Sequence, residues 1–137
     1  MLSENLLQYL ADNISDLTFD KTGTTGNLFD NALPDKPDIA VMLENTGGFP
    51  RDMRNKNYKL VSIRFLVRGD LDPRNAKSLA IDIIDAIGTF GGSKFASTSD
   101  YKIISCQATQ GFPINIGRDE NGRHRFSCNF ELEIQEV

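Results

Sequence analysis

From Arg125 to Gln135 the chain alternates without a break. Every odd-numbered residue is polar, and Phe126, Cys128, Phe130, Leu132 and Ile134 fill even positions between them. Period-two alternation sends one set to each face of a strand, so one face must find a core. A strand of this kind is not stable by itself and demands sheet neighbours. Tyr58–Arg68 supplies one. Val61, Ile63, Phe65 and Val67 share a face that Lys59 begins, while Ser62, Arg64 and Arg68 share the other with Leu60 and Leu66. Shorter apolar runs predict strands at Leu17–Phe19, Ile39–Glu44 and Tyr101–Thr109.

Ile114 and Ile116 precede the last strand across Asp119-Glu120-Asn121-Gly122. A two-residue Asn-Gly turn would put Ile116 against Ser127, on the polar side. A three-residue loop, a type I turn with Gly122 as a left-handed bulge residue, puts Ile116 against Phe126 and Ile114 against Cys128. The apolar pattern favours the second register.

Two helices complete the outline. Ser3 is placed to cap a first helix carrying Leu6, Leu7, Leu10, Ala11 and Ile14 at helical spacing, with Glu4 in its first turn. Asp72-Pro73 opens a second, with Ala76, Leu79, Ala80, Ile83, Ile84 and Ile87 as its apolar stripe and Gly88 at its end. No βαβ rhythm runs through the chain. The expected fold is α+β: one domain over residues 1–137, a mostly antiparallel β-sheet with both helices packed on one face. At 137 residues the chain can bury a core without staples.

Composition narrows the function. The formal charge is −4, which speaks against a dedicated nucleic-acid binder. The charge is uneven: residues 1–50 carry eight acids and two bases, whereas residues 51–68 carry six bases and one acid. Such asymmetry bears on association, either as a solvated basic strand face or as a surface that meets an acidic one. No apolar run is long enough for a membrane span, and Met1-Leu2-Ser3-Glu4 does not read as the start of a secretory signal.

Catalytic signatures are absent from the sequence. The single histidine, His124, falls beside the turn on the apolar face of the last strand, where a packed or edge residue is the plain reading. Cys106 and Cys128 lie on strands. Asp82 and Asp85 sit on the polar side of the second helix with no third ligand in view. The glycines match neither a P-loop nor a dinucleotide fingerprint. No catalytic residue, cofactor site or metal site is assigned.

The aromatics are placed unusually. Of nine phenylalanines, Phe65, Phe126 and Phe130 suit strand core positions, while Phe29, Phe49, Phe90, Phe95 and Phe112 sit in or beside loops. Exposed aromatic surface belongs to interfaces. The candidate contact residues are Phe49, Arg51, Met53, Arg54, Lys56 and Phe95, on the segments Gly47–Asn57 and Phe90–Asp100, which are expected to order on assembly.

Three stretches together resemble a known family: Tyr58–Arg68 running through Gly69-Asp70 into Ala76–Ile87, then Gly111-Phe112-Pro113 with Gly117-Arg118-Asp119 and Gly122-Arg123, then the closing strand with Ser127, Asn129 and Phe130. With the first helix they cover nearly the whole chain, which resembles the tail terminator proteins of long-tailed bacteriophages and prophages, a group often labelled minor capsid protein. The resemblance implies a non-enzymatic α+β subunit, in the virion tail after assembly in the bacterial host cytoplasm. It implies a hexameric ring that caps the head-proximal end of the tail tube and ends polymerisation. The implied partners are further copies of itself, the tail-tube protein and the head–tail connector protein, with DNA passing through the lumen without specific binding and no membrane. Alternatives are another neck or tail component, such as a head-completion or tail-tube protein, or a small α+β ligand-binding domain or enzyme.

Overall fold

The computed structural model describes residues 2–22, 25–48, 57–87, 89–91 and 101–136. Along the chain run α1 (Leu2–Asn13), β1 (Leu28–Asp30), β2 (Ala40–Gly48), β3 (Tyr58–Arg68), α2 (Pro73–Ile87), β4 (Thr89–Gly91), β5 (Tyr101–Ala108), β6 (Ile114–Arg118) and β7 (His124–Glu136). The expected α+β class holds.

The sheet order is β1-β2-β3-β7-β5-β4, with β6 also paired to β7. Among the described residues only the β1–β2 ladder is parallel. The alternating strand β7 is the spine. One edge takes β3 from Arg125 to Gln135; the other takes β6 near Phe126 and β5 from Phe130 onward. Both helices lie on the face formed by Val41, Leu43, Ile63, Phe65, Val67, Cys128, Phe130 and Leu132. Leu6, Leu7 and Leu10 of α1 and all six stripe residues of α2 are buried there.

Local chemistry explains the joints. Asp72 Oδ1 accepts the Arg74 N–H at 3.0 Å, capping α2, and Pro73 takes the first helical position. The strand-to-helix corner is tight: a Cβ on Gly69 would lie 2.6 Å from the Ala76 Cβ. In the β6–β7 turn, Gly122 has φ +80° and its N–H donates to Asp119 O at 3.1 Å. The three-residue loop with a left-handed Gly122 is therefore present.

Four expectations need correction. First, the register set by that turn survives only as far as Arg118↔His124; a bulge then shifts it, so Asn115 faces Phe126 and Ile114 faces Ser127. Asn115 Oδ1 accepts the Gly117 N–H at 2.8 Å, and Gly117 has φ +89°; this turn inserts the extra residue. Second, α1 begins at Leu2, so Ser3 lies inside it, and its hydroxyl donates to Asp30 at 2.8 Å. Third, Leu17–Phe19 contributes one bridge, Phe19↔Leu28, and the strand forms at Leu28–Asp30 instead. Fourth, strands extend into both segments read as loops, β2 through Gly48 and β4 over Thr89–Gly91.

Candidate functional site

Phe49, Arg51, Met53, Arg54, Lys56 and Phe95 lie outside the described residues. The other bases of the positive segment are described, and each is engaged within the subunit. Lys59 pairs with Glu136, and Arg64 reaches Glu44 at 2.5 Å. Arg68 is buried and donates to three backbone carbonyls: Asp38 at 3.0 Å, Asp35 at 3.2 Å and Pro37 at 2.6 Å. Burial lowers its pKa. The reading of β3 as a free basic face is thus corrected: its bases close the subunit.

A second buried arginine, missed in the sequence, works beside Arg68. Arg123 follows the Gly122 turn, and its guanidinium meets Asp119 at 2.7 Å, Asp35 at 3.0 Å and Asp38 at 3.2 Å. Burial opposes its charge, but the hydrogen bonds to Asp119 and Asp35 outweigh that cost and raise its pKa. Together Arg68 and Arg123 pin residues 35–38 to the ends of β3 and β7. The signal available was the pair of acids at Asp35 and Asp38, with Lys36 between them as the one local cation.

Two open grooves on the helix-bearing side are lined in part by aromatics, and the pin positions one of them. The first, about 510 Å³, runs along β1 and is lined by Phe19, Phe29, Leu33 and Pro34, with Glu4, Asp20, Asp30 and Lys21 at its polar margin. The second, about 600 Å³, lies between the start of α2 and the β5–β6 connection. Phe112, Pro113 and Phe126 line it with Pro73, Arg74, Lys77 and Asn115. Phe112 is 74% exposed. Nearby Leu71 and Ile114 are exposed too. Isolated exposed apolar residues are ordinary; an exposed aromatic on a groove lip suits an interface.

Burial pushes both thiols up to about 12, and Cys128 Sγ donates to Ala80 O at 3.5 Å. His124 is held in the sheet by its backbone, donating to Asp70 O and accepting from Gly69 N–H. Asp82 and Asp85 are exposed on α2. Among the described residues no group of three or more His, Cys, Asp or Glu side chains is placed to hold a metal. Among them too, no helix is long and apolar enough to cross a membrane.

No curated protein sequence matches the chain. The fold is similar to that of a chain in the structure titled "Virion of native gene transfer agent (GTA) particle". The TM-score is 0.64 at 15% identity, covering 95% of this chain and 94% of that one. Residues 10–136 match the family described as bacteriophage tail terminator protein, and the chain belongs to that family.

Proposed function

We propose that the protein is a structural subunit that closes into a hexameric ring on the head-proximal end of a tail tube. There it ends tube growth and joins the tail to the head. Family membership over residues 10–136 carries this reading. The partners are further copies of the chain, the tail-tube protein and the head–tail connector. The subunit acts without catalysis, in a tail assembled in the bacterial cytoplasm. Its net charge of −4 suits a lumen through which DNA passes without sticking, since phosphate binding needs concentrated cations. Phe49, Arg51, Met53, Arg54, Lys56 and Phe95 enter the proposal as contact residues on sequence grounds.

Loss of the protein tests the reading. Particles made without it are expected to carry tubes of uncontrolled length, with filled heads left unjoined. Purified protein added back should restore a fixed length. Tails of normal length joined to heads in its absence would overturn the proposal.

A further inference from the structure

The two grooves stand at opposite edges of the same sheet and carry opposite charge. A single row of paired residues crosses the strands: Leu28, Val41, Val67, Phe126 and Asn115. Leu28 belongs to the β1 groove and Phe126 with Asn115 to the α2 groove. The two sites are therefore level along the strand direction, four interstrand steps of roughly 4.8 Å apart. The β1 groove carries three carboxylates against Lys21, which bridges Glu4 at 3.7 Å. The α2 groove carries Arg74 and Lys77 with no carboxylate in its lining. Arg74 is shared with Asp72, and among the described residues Lys77 has no partner.

We propose that Phe112 of one subunit seats in the β1 groove of a second copy, joining subunits head to tail. This rests on the ring reading and names the contact that would build it. Phe112 projects from the lip of its own groove, and the β1 groove offers Phe19, Phe29 and Leu33 as an apolar floor. Seating the ring brings Lys77 toward the carboxylates of the neighbour, and this charge match sets the register of approach. A patch on one edge that meets a different patch on the other is a heterologous contact, which repeats around a ring if the rotation closes. Level sites add no climb along the strands for an axis parallel to them. The Arg68–Arg123 pin gives Leu33 and Pro34 a fixed place to receive the ring.

Light scattering on the full chain tests the contact with Phe112→Asp, Leu33→Asp and their equimolar mixture, each variant first shown to keep the wild-type circular dichroism and melting temperature. Wild type is expected to form a closed ring and each variant alone to stay monomeric. The mixture should yield a dimer and nothing larger, because the groove of F112D accepts the intact Phe112 of L33D once. Rings formed by F112D would overturn the contact and leave the ring reading standing; so would a mixture that stays monomeric. A monomeric wild type at every concentration would instead fail the ring reading itself. Should L33D lose its fold, Lys77→Glu and Glu4→Lys replace it: each alone should weaken assembly severalfold at low salt, and the double variant should recover it. No recovery would overturn the proposed charge match.

Discussion

Arg68 Nη2 donates to the Pro37 carbonyl at 2.6 Å, across a separation of 31 residues. The bond ties the end of β3 to the segment entering β2, and Asp35 O and Asp38 O share the same guanidinium. A buried cation thus replaces what a strand would otherwise supply to those three carbonyls. Replacing it with methionine keeps the stem and removes the donors. Arg68→Met is expected to destabilise by on the order of 2 kcal/mol, since the hydrogen bonds that this charged donor makes to the carbonyls of Asp35, Pro37 and Asp38 are lost. Urea unfolding checks this; a midpoint unchanged from wild type would contradict it.

The pin should also respond to acid. Asp38 is held below its ordinary pKa chiefly by the Lys36 hydrogen bond. Asp119 is held low as well: burial pushes the other way, but hydrogen bonds from the Arg123 backbone and side chain prevail. Depressed folded values mean the stabilisation is complete above the unfolded pKa, near about 4, and is lost as pH falls through the folded values beneath it. Protection of the Asn31 amide, which donates to Leu43 O, should fall below about pH 4 before the β7 amides open. Arg123→Gln should flatten that dependence. Loss of Asn31 and β7 protection together would contradict a local pin.

Gly122 carries φ +80°, and a Cβ there would lie 3.2 Å from Leu71 Cδ2. Gly122→Val is expected to destabilise by about 1 kcal/mol or more, because β-branched residues resist positive φ. A thermal melt at matched concentration measures it, and an unchanged melting temperature would argue against the left-handed turn.

Burial predicts silence from the cysteines. With both thiols pushed up to about 12, iodoacetamide at mildly alkaline pH should leave Cys106 and Cys128 intact in the folded protein and alkylate both in urea. Mass spectrometry of the peptides decides. Modification of either under native conditions would contradict the packing described.

What the sequence revealed follows the range of the forces involved. The bounds of Tyr58–Arg68, the cap at Asp72 and the six-residue stripe of α2 all depend on neighbours within a few residues, and all stand as read. The Gly122 turn was legible for the same reason. Ile116 departs from its expected partner because Ile114 does not seek the core: it is 45% exposed, and the Asn115–Gly117 turn breaks the register between the two. Arg68 was assigned to the correct face but read as solvent-facing. Its burial depends on residues 35–38, which no local pattern connects to β3. The α2 groove was invisible for a similar reason, since its lining comes from residues 73–77, 112–115 and 126, far apart in the chain. Phe112 was recognisable as a loop aromatic, though not as the lip of one of them.

The proposed ring occupies one position, a single end of the tail. Gold-labelled antibody against the protein, imaged on intact virions and on detached tails, tests it most directly. Label is expected at the head–tail junction of virions and at a single end of each free tail. Label spread along the tube would make the protein a tube subunit, and particles without label would remove it from the virion; either result would contradict the account.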